Sequence, residues 1–338
     1  MEPLQMKRIP KVELHCHLDG SIRKETLRSI YVEQNNPLQL SDEALHQAMT
    51  AAERCDLTNY LTCFRIVSSA LHTKQALQLA LFDVVEQAVE ENIFYLEIRL
   101  SPLHLATENF SMEEVAEALI EAADLVKVRY PIQIGLIFCC MRQQSDSQNK
   151  QVIDLAKKFL GKGVVAIDLA GDELKFPTRD YRSLFIYANR LGIPYTVHAG
   201  ETGSLQSVLD AIDFEAKRIG HGIALAKSQK AMEKAQKQGI LLEMCPVCNI
   251  QTGAVASWKE YPVKEFLENG LPISFNTDNR TVSNTTLTNN FLQVAQNCYS
   301  LSEKEVLKQV KTAIDYLFVD EENKQALQKK LNNHQLYG

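Results

Sequence analysis

The sequence predicts an α/β fold, a (β/α)8 barrel of the TIM type. Three observations carry that expectation: eight short β-branched runs, helical spacing in most segments between them, and polar residues gathered at the C-terminal ends of the runs. The runs are PKVELHC (10–16), IFYLEIRLS (93–101), IQIGLIFCC (132–140), VVAIDLAG (164–171), IPYTVHAG (193–200), KRIGHG (217–222), ILLEMCP (240–246) and LPISFNTD (271–278). Strand then helix, repeated, implies a parallel sheet, and a count of eight favours closure over an open doubly wound sheet.

The first run ends in His15 and His17, and then about 75 residues pass before the second. That stretch reads helical, so we expect one domain over 1–338 with a helical lid inserted at about 20–90. Within it Leu57, Tyr60, Leu61 and Phe64 fall at i, i+3, i+4 and i+7, an amphipathic stripe that fits either core packing or a wall facing substrate. Between the second and third runs, Val115, Leu119 and Ala122 share a helical face, and Ser111 with Glu114 matches a capping box. Ser302 and Glu305 repeat that signal ahead of a closing pair of helices.

The 338 residues are 45% hydrophobic and 23% charged, with a net charge of −6 and both signs interspersed. Such a chain can bury a large core and offers no basic footprint for nucleic acid or an anionic membrane. No stretch approaches the roughly 18 apolar residues of a membrane span, and the start lacks the apolar core of a signal peptide. These points predict a soluble, cytoplasmic protein with a small-molecule partner; the oligomeric state is left open, a monomer included. The eight cysteines follow no secreted-scaffold spacing and read as reduced thiols.

On a strand, His15 and His17 project the same way, about 6.6 Å apart along the rise, close enough to close around one ion. The pair alone is weak, but Asp168, Asp172, His198, Glu201, His221 and Asp278 also fall at strand ends, which converge on one rim of such a barrel. Several imidazoles with a carboxylate suit a divalent ion, zinc first. Each residue also has a bland reading: His198 fits a satisfied core histidine, and His46, His72, His104 and His334 read as surface residues. Cys245 and Cys248 form a single Cys-x-x-Cys without a second, and the GKG at 161–163 lacks phosphate-loop spacing and reads as a turn.

Six segments in order, PKVELHCHLDGSIR, DLAGDE, VHAGE, RIGHG, CPVCNIQTG and FNTDN, resemble the motifs of the adenosine deaminases, a branch of the zinc amidohydrolase barrels, from residue 10 to about 290. The resemblance implies one Zn2+ per chain on His15, His17, His198 and Asp278. It also implies Glu201 as the proton donor to ring nitrogen N1, and His221 and Asp278 as partners of the attacking water. For the substrate, a purine nucleoside, it implies Asp19 with His17 at the ribose hydroxyl, the Gly171 amide at N3, Asn279 at N7, and Leu57, Tyr60, Leu61 and Phe64 as an apolar wall. Asn279 departs from the acid that many members carry there, although an amide donates a hydrogen bond at any pH. The implied reaction is hydrolytic deamination of adenosine and 2′-deoxyadenosine. The alternatives are a deaminase of adenine or another adenine-bearing metabolite, and a catalytically dead nucleoside-binding protein.

Overall fold

The computed structural model describes the backbone of residues 1–337 and side chains through Asn333, so the His334 side chain, expected at the surface, lies outside the described residues. All eight expected runs are strands: β1 (Lys11–His17), β2 (Ile93–Leu100), β3 (Gln133–Met141), β4 (Val164–Ala170), β5 (Thr196–Ala199), β6 (Arg218–His221), β7 (Leu241–Met244) and β8 (Ile273–Phe275). They pair in parallel in the orders β1-β2-β3-β4 and β5-β6-β7-β8. Single parallel bridges, Ile167 with Tyr195 and Cys16 with Asp278, join the two halves into a ring. The seams are thin because β5 to β8 are only three or four residues long.

Strand alternation sorts the side chains. In β1, Val12, Leu14 and Cys16 pack into the continuous apolar core under the surrounding helices, while the residues between them turn to the lumen. That lumen is charged: Lys11, Glu13, Glu97, Arg99, Asp168, Arg218 and Glu243 are all fully buried inside the ring. At its floor, the Lys11 ammonium donates to the carbonyls of Met6 (2.9 Å), Ile9 (2.6 Å) and Glu91 (2.9 Å), and burial lowers its pKa to about 8.

The outer helices follow the expected signals. Met112–Arg129 opens with the Ser111–Glu114 capping box and buries Val115, Leu119 and Ala122; Glu303–Asp315 opens with the Ser302–Glu305 box. Among the described residues, no helix is long and apolar enough to cross a membrane.

Between β1 and β2 the chain forms five helices, Lys24–Glu33, Asp42–Met49, Leu57–Thr62, Arg65–Ser68 and Lys74–Glu90. The stripe from Leu57 to Phe64 is not one helix: the first turn run stops at Thr62, and Phe64 caps the next piece. Tyr60 is buried, but Leu61 is 39% exposed. The Tyr60 hydroxyl is held 2.7 Å from Ser283 Oγ and accepts from the Asn279 amide at 3.0 Å, partners in the loop after β8.

That loop is locked to β1. Arg280 is buried and pairs with both Glu13 and Glu91, and Glu13 also accepts from the Thr277 amide at 2.8 Å. Removing one member of a buried set strands the others without solvent. Arg280→Leu is therefore expected to lower unfolding free energy by about 3–5 kcal/mol in urea titrations; a loss below about 1 kcal/mol would show that water reaches the two carboxylates.

Candidate metal centre and active site

The candidate site residues lie at strand ends. His15 and His17 close β1, His198 lies in β5 with Glu201 just after it, His221 ends β6, and Asp278 follows β8. His221 (φ 61°) and Asp278 (φ 64°) hold left-handed backbone that non-glycine residues seldom adopt. Asp278 is kept there by the seam itself: its amide donates to His15 O at 3.0 Å and its carbonyl accepts from the His17 amide at 2.7 Å. Such conformations cost about 1–3 kcal/mol each and persist where the surroundings over-determine them.

One ligating atom from each of His15, His17, His198 and Asp278 lies within 4.8 Å of all the others. Asp278 Oδ1 is 3.0 Å from His15 Nε2 and 3.2 Å from His17 Nε2, and His17 Nε2 is 3.2 Å from His198 Nε2. Four donors on a tetrahedron with bonds of about 2.0–2.1 Å are separated by roughly 3.3 Å. Buried ring nitrogens crowded this closely, with His15 Nε2 lacking any aligned hydrogen bond, fit a shared divalent cation.

Behind these ligands stand carboxylates. His15 Nδ1 is hydrogen-bonded to Glu243 Oε2 at 2.9 Å, and His198 Nδ1 lies 2.8 Å from Asp168 Oδ2. Burial alone would raise Glu243, but Arg99 and Arg218 hold it well below the usual carboxyl value; His198 and Arg99 likewise overcome burial to hold Asp168 low. Gly220, on β6, leaves the space His15 needs: a Cβ there would stand 3.0 Å from His15 Cε1.

Glu201 and His221 sit beside the cluster and share a second potential ligand group with Asp278. Glu201 is buried, 9% exposed, and burial, then the neighbouring Asp278 and Glu173 carboxylates, push its pKa well above the ordinary value against the opposing pull of Arg142. His221 Nε2 lies 3.7 Å from Glu201 Oε2, while its Nδ1 is 3.0 Å from the amide of Asn249, which is itself bonded to Tyr261. Burial lowers the pKa of His221 well below that of a free imidazole.

A cavity of about 420 Å³ opens over this cluster. Its lining includes Asp19, Gly171 and Asn279, and also Leu57, Tyr60, Leu61 and Phe64, so the stripe faces the cavity rather than the main core. Asp19 is raised in pKa by burial, with His17 opposing.

Sequence reasoning missed several members. His104, read as surface, borders the cavity together with Ser68. Glu243 and Asn249 received no role and Arg99 was weighed only as a contact for a phosphate, although charges inside apolar strands were a visible signal for Arg99 and Glu243. Cys245 and Cys248 are buried, and no group of ligating residues among the described residues includes them.

The adenosine deaminase family model matches residues 10–334. The chain belongs to the adenosine deaminase family. An adenosine deaminase of Enterococcus faecalis is 40% identical over 338 residues, covering 100% of both chains. Among solved structures, the arabidopsis N6-mAMP deaminase superposes with a TM-score of 0.87 at 25% identity, covering 98% of this chain and 99% of its own. An adenine deaminase from Arthrobacter aurescens shares the fold, with a TM-score of 0.87 at 22% identity over 96% of this chain and 98% of its own.

The raised Glu201 pKa links to stability. The folded carboxyl keeps a proton that the unfolded chain releases, so this residue costs stability as pH rises above the ordinary 4.5. In metal-stripped protein, Glu201→Gln is expected to be the more stable form at neutral pH and equal to the parent below that value. The gain is about 1.4 kcal/mol for each unit of upward shift. Denaturant titrations across pH check it, and a gain that does not depend on pH would contradict the buried, protonated carboxyl.

Proposed function

We propose that the protein is a zinc-dependent hydrolase that converts adenosine and 2′-deoxyadenosine to inosine and 2′-deoxyinosine with release of ammonia. The observation that carries this reading is the convergence of His15, His17, His198 and Asp278 on one cavity, with Glu201 and His221 beside them. Family membership and the full-length E. faecalis adenosine deaminase relative supply the substrate class.

When bound, zinc lowers the pKa of a coordinated water to near 7 and so supplies a nucleophile at neutral pH. Asp278 and His221 flank the place of attack, Asp278 accepting the water's proton and His221 orienting it. A purine carbon resists addition until electron density leaves the ring, and Glu201 meets that need by protonating N1 as the C6–O bond forms. Only a carboxyl still protonated near pH 7 can do this, which is what its burial beside two other carboxylates favours. Collapse at C6 then expels ammonia, the proton taken by Asp278 passing to the leaving amino group and the proton of the added hydroxyl returning to Glu201.

Asp19 and His17 take the ribose hydroxyl, the Gly171 amide approaches N3, and Asn279 approaches N7. At Gly171 the left-handed backbone (φ 107°) disfavours a side chain, and a Cβ there would also require the Gln143 amide, 2.8 Å away, to shift. We further propose a single domain over 1–338 with a helical lid inserted at about 20–90, whose Leu57, Tyr60, Leu61 and Phe64 line the cavity.

The arabidopsis and Arthrobacter neighbours raise nucleotide and free-base substrates as alternatives. Three arginines that might have met a phosphate are engaged: Arg23 with Asp83 and Glu86, Arg99 with Asp168 and Glu243, and Arg142 with the carbonyls of Phe176 (2.7 Å) and His198 (2.7 Å). The cavity lining also holds Arg65 and Lys175, the latter 3.0 Å from Asp172, beside Asp19, an acceptor for a neutral hydroxyl.

Loss of adenine absorbance and ammonia release with adenosine, deoxyadenosine, adenine and AMP test the assignment. Adenosine is expected to turn over fastest, and a faster loss with adenine would reject the nucleoside assignment. Glu201→Gln is expected to retain zinc while losing at least about 100-fold in kcat.

A further inference from the structure

The ligand imidazoles are not held by separate partners. Asp168 Oδ2 is 2.8 Å from His198 Nδ1 and accepts from Arg99 Nη1 at 2.9 Å. Glu243 Oε2 meets His15 Nδ1 at 2.9 Å and accepts from Arg99 Nη2 at 2.8 Å. One guanidinium thus touches the same two oxygens that back two of the candidate ligands.

We propose that Arg99 is the positioning residue of the metal centre, a single fork that aligns Asp168 and Glu243 and through them presents His15 and His198 with free Nε2 lone pairs. This rests on the metal reading of the cluster above and adds to it a residue that touches neither ion nor substrate.

The chemistry of the groups makes the direction unambiguous. A guanidinium only donates, and an ionised carboxylate only accepts. Each shared oxygen therefore calls for a proton on the facing imidazole Nδ1, aligned as a hydrogen bond at His15 and held in close contact without that alignment at His198. That leaves the lone pair on Nε2, the atom that points at His17 and Asp278. The fork geometry matters as much as the charge, because a lysine ammonium cannot meet two fixed oxygens and a carbonyl in one plane.

Arg99 is fully buried on β2, and its Nη2 also donates to Leu14 O on β1 at 2.5 Å. Its partners lie on β4 and β7, so one side chain ties the two half-sheets together directly beneath the cluster. Arg218 reinforces only one arm, reaching Glu243 Oε1 at 2.6 Å and Glu97. Asp168 has Arg99 as its sole arginine partner among the described residues.

The test uses full-length Arg99→Gln and Arg99→Lys with readouts other than turnover. Competition against a chromophoric chelator measures Zn2+ affinity, the visible spectrum of the Co2+-loaded protein reports ligand geometry, and 15N ring shifts of metal-free parent protein report histidine tautomers. Both variants are expected to bind Zn2+ about 10–100-fold more weakly, with an altered Co2+ spectrum, while metal-free parent protein shows His15 and His198 protonated at Nδ1.

If Arg99→Gln does not fold, Arg99→Lys and the tautomer measurement on the parent decide the matter. Parent-like Zn2+ affinity and Co2+ spectrum in a folded variant, or Nε2–H tautomers in the metal-free parent, overturn the inference while leaving the metal reading intact. A parent protein that binds neither Zn2+ nor Co2+ at one per chain overturns the metal reading itself, and this inference with it.

Discussion

A charge in the middle of a barrel has no water to turn to, so the lumen of this protein can exist only as a set of mutually satisfied ions. Arg99, Arg218, Glu97, Asp168 and Glu243 form that set, every one of them fully buried. Desolvating such ions costs several kcal/mol each, and hydrophobic replacements of equal volume are often as stable or more so. Stability alone is thus a poor reason for the arrangement. What an apolar filling could not provide is a pair of fixed acceptors behind His15 and His198.

The electrostatics of the two carboxyl classes diverge for the same reason. Glu243 and Asp168 face guanidinium groups, so the attraction outweighs burial and both stay ionised. Glu201 faces Asp278 and Glu173, so burial and repulsion act together and favour the neutral acid. Groups of one chemical type are thereby divided into anions below the cluster and a neutral acid above it. That division of environments is how acid and base roles are separated at a single pH.

Much of this was legible in the sequence because the relevant information is local. Each strand announces itself by a β-branched run, and the residues that end β1, β5, β6 and β8 arrive at the same rim through the repeat of the fold. Pairings across the lumen are not local: Arg99 meets Asp168 across 69 positions and Glu243 across 144. No spacing rule reaches that far. The Leu57 to Phe64 stripe left core packing and a cavity wall equally open, because its apolar period does not show what it faces; the partners of the Tyr60 hydroxyl, Ser283 and Asn279, lie more than 200 positions away.

The thin seam between β1 and β8 gains meaning from its position. β8 is three residues long and meets β1 through the bridge of Cys16 with Asp278, so backbone pairing there is slight. Yet the residues on either side of that bridge, His15, His17 and Asp278, are three of the four candidate ligands. On the proposed reading, ion binding and ring closure are the same event at this point, and the free energy of one contributes to the other. The left-handed backbone of Asp278, costly in isolation, is then the conformation that lets one residue close the ring with its peptide and the metal site with its carboxylate.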